Sequence, residues 1–234
     1  MRYSRMCTIG MCVGGLVVAF NAAADLSDSP IITFDCNGES AFDTDGRPGF
    51  LPGQWIFEGD SYGSNFQHSY EIAAIVDPVL DFNFSWTNTT SQTQSYLFSF
   101  SLNGIDDWNG DILYSGLFNA TVHDNNGNGA TLGSANGIAL FTGIVDGVPL
   151  MNLANSPFSL AASSGGSATT GDLTGAGASS IGYHSSLTVR LSFTLSAGDS
   201  VGFDGNWTVN PVPAPGALAL LALAGFPNWS RRRR

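Results

Sequence analysis

The sequence contains no lysine. All eight of its basic residues are arginines, and six of them stand at the ends, at Arg2, Arg5 and Arg231 to Arg234. Between residues 25 and 210 only Arg47 and Arg190 face all nineteen acids, so that segment has a formal charge of −17, against −11 for the whole chain. Phosphate backbones are held by clustered Lys and Arg, so this balance excludes nucleic acid as a partner; it favours solubility and divalent cations instead. Glutamate is scarce as well, limited to Glu39, Glu58 and Glu71. Without Lys and Glu the middle of the chain has little material for exposed helix faces. Catalytic patterns are weak. There are three histidines (His68, His123 and His184) and no His-Glu-x-x-His, so no zinc-protease motif. Gly-x-Ser-x-Gly occurs at Gly59-Asp60-Ser61-Tyr62-Gly63 and at Gly198-Asp199-Ser200-Val201-Gly202, but neither opens the helix that a hydrolase elbow requires. Glu58 and Glu71 could form a glycosidase pair, but both fall on expected strands in an acid-rich chain. The sequence reads as a non-enzyme.

The two ends carry signals of their own. Residues 1 to 24 hold Arg2 and Arg5, an apolar run from Ile9 to Phe20, and Ala22-Ala23-Ala24. A basic start, an apolar core of this length and a small-residue site make a signal peptide cut after Ala24, with the Sec translocon and signal peptidase as partners. The run falls short of the roughly 20 residues that span a bilayer. Cys7 and Cys12 leave with it, and Met11 before Cys12 does not fit a lipoprotein site. Cys36 then stands alone, which excludes an internal disulfide. It follows Ile31-Ile32-Thr33-Phe34-Asp35 and reads as a small buried apolar residue.

At the other end, Val212-Pro213-Ala214-Pro215-Gly216 leads into an apolar segment from Ala217 to Phe226, then Pro227-Asn228-Trp229-Ser230 and four arginines. The prolines mark a linker. The apolar segment reads as a helix with no polar stripe, and the positive cluster suits the cytoplasmic side of a membrane. In its proline entry, Leu/Ala/Gly-rich helix and terminal arginines, the segment 211 to 234 resembles the PEP-CTERM sorting signal of bacteria that make extracellular polysaccharide. Ala214 stands where that family most often has Glu, and Pro227-Asn228 interrupts the helix. The resemblance implies recognition of Val212 to Gly216 by an exosortase, a membrane-embedded cysteine protease. Arg231, Arg232, Arg233 and Arg234 would act as the basic anchor during a transient stay in the inner membrane, before delivery to the cell surface or matrix.

Between the ends, period-two alternation dominates. Leu80, Phe82, Phe84 and Trp86 share one face, opposite Asp81, Asn83 and Ser85. Tyr96 to Leu102, Leu187 to Leu195 and Val201 to Val209 behave alike, with Gly205 in register. Further strands are expected at 31–36, 54–58, 69–76, 112–122 and 137–145. Turns are expected at Asp45-Gly46, Asn88-Thr89-Thr90, Asn103-Gly104, Asn125-Asn126-Gly127 and Ala197-Gly198-Asp199. The expectation is all-β: a single antiparallel β-sandwich or jelly-roll-like domain of eight to ten short strands over residues 25 to 210, followed by the C-terminal apolar helix. The Gly/Ser/Thr/Ala stretch 162 to 180 reads as a long flexible loop.

Two features could carry a ligand. Asp124-Asn125-Asn126-Gly127-Asn128-Gly129 places oxygen ligands at positions 1, 3 and 5 (Asp124, Asn126 and Asn128) and Gly at 6 of a calcium loop. Its twelfth position is Ala135 and not a bidentate Glu, so it is no EF-hand. A looser calcium site would need Asp106, Asp107 or Asp111, and a polar hairpin turn suits the same residues. Among the tryptophans, Trp86 and Trp207 fall on the apolar alternation, whereas Trp55 and Trp108 sit near turns and could stack on sugars. The chain therefore reads as an exported, non-enzymatic surface or matrix protein. The alternative is an extracellular carbohydrate-binding, lectin-like module, with calcium as its one candidate cofactor and polysaccharide as its partner.

Overall fold

The structure, a computed structural model, describes residues 30 to 212 apart from 76–77, 109 and 182–183, and within its strands the side chains of 39–40, 42, 104–108 and 184 are not described. The leader, the sorting motif beyond Val212, the expected helix 217–226 and Arg231 to Arg234 lie outside the described residues.

Every stretch with an apolar/polar alternation forms a strand. These are β1 (Ile31–Cys36), β4 (Gln54–Tyr62), β5 (Phe66–Ile75), β6 (Val79–Asn88), β7 (Gln94–Trp108), β8 (Ile112–His123), β10 (Phe141–Val145), β15 (His184–Leu195) and β16 (Ser200–Pro211). Seven shorter strands complete the set: β2 (Glu39–Asp43), β3 (Arg47–Pro48), β9 (Ala130–Ser134), β11 (Val148–Leu153), β12 (Ser159–Ala162), β13 (Ser167–Thr169) and β14 (Leu173–Ser179). The described residues contain no helix.

All pairings are antiparallel and fall into two eight-stranded sheets. The first runs β11-β10-β15-β7-β1-β2, with β9 also on β15 and β12 on β9. The second runs β13-β8-β16-β6-β5-β4-β3, with β14 also on β8. Their apolar faces share one core in which Phe84 meets Phe98 at 5.1 Å and 70°, and Trp86 meets Phe193 at 5.6 Å and 90°. Such edge-to-face contacts suit the ring quadrupoles, and each large side chain fully buried contributes roughly 1.5–3 kcal/mol. Cys36 is buried, as expected.

Three expectations are overturned. The described residues hold sixteen strands rather than eight to ten, because the short strands β2, β3, β9 and β11 to β14 pair along the longer ones. The stretch 162 to 180 is not a flexible loop, because β13 and β14 both pair with β8. Its glycines answer to space: a Cβ at Gly175 would lie 2.7 Å from Met151 Sδ, and one at Gly177 would lie 2.3 Å from Tyr114 Oη. Asn103-Gly104 is not a turn either. Central strand β7 runs through it between β1 and β15, with a register shift in β15 between His184 and Ser186. Asn103 spends its amide on Thr33 Oγ1 at 3.0 Å and Ser101 O at 3.3 Å.

The register also defines two ends. Between β7 and β8 the chain passes from one sheet to the other at the end where β16 finishes. Gln54, Ile75, Val79 and Thr208 align in sequence across neighbouring strands, which puts the 49–53 turn at that same end. Ile31 lies opposite Asn103, and Val145 opposite both Leu187 and Val148, so β1 begins there and β10 turns into β11 there. The far end collects the turns 37–38, 63–65, 89–93, 124–129, 163–166 and 196–199.

Candidate functional site

At the far end, Asp124 closes its own loop. Its Oδ1 accepts the N–H groups of Asn126 (3.2 Å) and Gly127 (2.9 Å), and its Oδ2 accepts those of Gly129 (3.0 Å) and Gly165 (2.6 Å). The N–H of Gly165, joined by those of Gly129, Asn126 and Gly127, holds the carboxyl at about 2. Asn126 Oδ1 accepts Asn128 N–H at 3.1 Å while its Nδ2 donates to Ala197 O at 2.6 Å. Two of the three expected calcium ligands thus direct their oxygens at backbone donors, and Asn128 is exposed. The arrangement is that of a turn that ties β8–β9, β12–β13 and β15–β16 together. Of the carboxylates needed to complete a calcium site, the side chains of Asp106 and Asp107 lie outside the described residues. Asp111 is at the opposite end of β8.

The second arrangement lies on the solvent face of the second sheet. Glu58 pairs in register with Glu71, Glu71 with Asn83, Asn83 with Asp204, and Asp204 with Asn119. At 4.7–4.9 Å per strand this rung crosses five strands over roughly 19 Å. A shallow groove of about 450 Å³ lies over Glu58, Asp60, Ser69, Glu71 and Asn83, and another of about 470 Å³ shares Glu71 and Asn83 and extends to Asp81, Asp204 and Asn206. Glu58 binds Arg47 at 3.1 Å with both side chains exposed, a pair worth at most about 1 kcal/mol. The Asp81 carboxyl is raised above its usual range by burial and then by the charge of Asp204.

Carboxylates and amides on a flat, open face suit hydrogen bonding to hydroxyl-rich chains. They do not make a closed metal cage: among the described residues no three His, Cys, Asp or Glu side chains converge on one point. The Glu58–Glu71 pair stands on an open sheet surface with nothing built over it to exclude water. Trp86 and Trp207 are buried, and Trp55 lies on β4, half-buried and packed against the core. The side chain of Trp108 lies outside the described residues. Reading the sequence missed Asp81, Asn83, Asp204 and Asn206 as a group. Their signal was the wet side of two alternating strands, and their adjacency depends on a cross-strand register that alternation does not supply.

No protein-family model matches the chain, and no curated protein matches its sequence.

Proposed function

We propose that this protein is an exported, non-enzymatic component of a bacterial surface or extracellular matrix. It folds as one β-sandwich and is sorted through the PEP-CTERM-like segment 211 to 234. The observation that carries this reading is how the described strands end. β16 pairs with β8 as far as Pro211, and Val212 N–H donates to Asp111 O at 2.8 Å. The sorting motif Val212 to Gly216 thus begins next to the last residue of β16, and the described pairing of the two sheets uses residues 31 to 211. Export would run through the Sec translocon and signal peptidase, and release through an exosortase-like protease. Expression in a host with such a sorting system tests it. The full chain should reach the surface in processed form, whereas a chain ending at Val212 should escape to the medium. Equal distribution of the two would sink the reading.

A second reading, an extracellular carbohydrate-binding module, is favoured by the rung Glu58–Glu71–Asn83–Asp204–Asn119 rather than by the tryptophans. Affinity electrophoresis in acidic and neutral polysaccharide gels tests it. Retardation that Glu71→Ala and Asn83→Ala abolish would favour binding.

A further inference from the structure

The exposed apolar side chains are gathered at one end. Ile31, Phe50, Leu51, Leu113, Val148 and Val212 are the large hydrophobic residues exposed at the end where β16 finishes; Tyr62, at the β4–β5 turn, is the one at the far end among the described residues. The far end is built from asparagine, serine and aspartate turns. The exposed large apolar side chains are therefore concentrated at one end, beside the exposed acid Asp111.

The foremost of these residues is held out by design of the turn. Phe50 is 101% exposed, the value of a side chain touching nothing. Gln54 Oε1 accepts the N–H groups of Phe50 at 2.9 Å and Leu51 at 3.3 Å, Gly49 N–H donates to Gln54 O at 2.8 Å, and Gln54 N–H donates to Leu51 O at 3.1 Å. Gly53 takes a φ of +72°, which glycine adopts freely. With Pro48 and Pro52 on either side, the turn has few alternatives, so presenting Phe50 and Leu51 costs little ordering entropy. Asp146, the acid of the β10–β11 turn, accepts the N–H groups of Ser185 and Ser186 at 2.8 Å each.

We infer that this end is a membrane-docking surface: Phe50 and Leu51 enter the headgroup region of a bilayer while the tail is inserted. The inference rests on the reading of 217–226 as a membrane-entering segment. Its independent support is the length of chain between the two. Val212 is at this end, and the five residues from it to Ala217 reach at most roughly 17 Å when fully extended. A bilayer that holds Ala217 therefore lies within reach of this end and out of reach of the far end. Exposed aromatic and aliphatic side chains are what an interface takes up, with an affinity that grows with the apolar area buried. The acidic body would repel anionic lipid, so the surface fits zwitterionic headgroups.

The test uses the exported chain, from Asp25 to Arg234, mixed with phosphatidylcholine vesicles. Phe50→Cys and Tyr62→Cys variants are labelled with a polarity-sensitive fluorophore; buried Cys36 is spared, and Leu113→Cys serves as a second reporter should the turn be disturbed. Vesicle flotation reports the tail, and collisional quenching from water reports the end. Flotation with quenching at positions 50 and 113 reduced about threefold or more, and unchanged at 62, supports the inference. Flotation with all three positions equally quenched overturns it and leaves the sorting tail intact. A chain that stays in the buffer overturns both. Shielding of position 50 without vesicles, accompanied by a doubled mass, assigns the surface to a second copy of the chain and overturns the lipid assignment.

Discussion

Gly143 of β10 lies flat against the indole of Trp207 from the opposite sheet. A Cβ at Gly143 would stand 2.8 Å from Cδ2 and Cε3 of that ring, and Trp207 Nε1 donates to the neighbouring Ile144 O at 3.3 Å. One of the two widest side chains of the core is accommodated by the narrowest residue facing it, and the one polar atom of the indole is satisfied by the same strand.

Gly143→Ala should therefore cost about 1–3 kcal/mol through overpacking, and Trp207→Ala about 3–5 kcal/mol through the cavity it leaves. The two effects should not add. With the ring gone, the methyl group has space, and the double variant should be no less stable than Trp207→Ala alone. Urea unfolding of the four proteins measures this, and simple additivity would place the strain somewhere other than this contact.

This contact also marks what the sequence could disclose. Trp207 as a core residue was legible, because it falls on the same alternating face as Val201, Phe203 and Val209. Gly143 was not, because a glycine gives no hydrophobic signal and its partner is on another sheet. The same limit explains β14. Leu173-Thr174-Gly175-Ala176-Gly177 has the composition of a linker, yet its inward positions are small because Met151 and Tyr114 already fill the space. The Asp124 loop was legible as a turn and ambiguous in purpose, since oxygen ligands for calcium and acceptors for backbone N–H groups are the same residue types. What separates the two is Gly165, forty-one residues away, and no local pattern points to it.

His68 is buried among Phe66, Tyr70, Trp86 and Phe98, stacked on the Trp86 ring at 4.9 Å and 7°, with no hydrogen-bond partner at Nδ1. Burial lowers it from 6.5 to about 4. Between those values the unfolded chain takes up a proton that the folded protein refuses. Stability should be level above pH 6.5 and fall as the pH drops toward 4, by about 3 kcal/mol in total. In His68→Phe that slope should be absent. An unchanged slope in urea midpoints measured from pH 7 to pH 4 would assign the titration to another group.

Asp124 acts in a lower window. Its carboxyl is held at about 2 by four backbone N–H groups, so its contribution is complete above the ordinary carboxylate value and is lost as pH falls toward 2. Asp124→Ala should accelerate hydrogen exchange at Gly129 and Gly165 and lower the melting temperature by the same amount with and without millimolar calcium. A rise in melting temperature of the parent protein with calcium, absent from Asp124→Ala, would instead make this loop a calcium site, because a ligand bound only by the native state stabilises by mass action.

The boundary between domain and tail gives the sharpest test. Asn210 and Pro211 still pair with Leu113 and Ile112, and Val212 N–H still binds Asp111 O. A chain ending at Val212 keeps every one of these contacts, whereas one ending at Asn210 gives up the last rung of β16 and the Val212 bond. The Val212 truncation should melt with the full exported chain, and the Asn210 truncation slightly below it, since one net hydrogen bond is worth about 1 kcal/mol. For a domain of this size that corresponds to roughly 2–4 °C. Calorimetry on the three proteins decides the matter. If the Val212 truncation melts many degrees below the full chain, residues beyond 212 pack on the sandwich, and both the sorting tail and the docking end would have to be given up. Equal melting leaves the tail as an appendage, free to enter a membrane without unfolding what it carries.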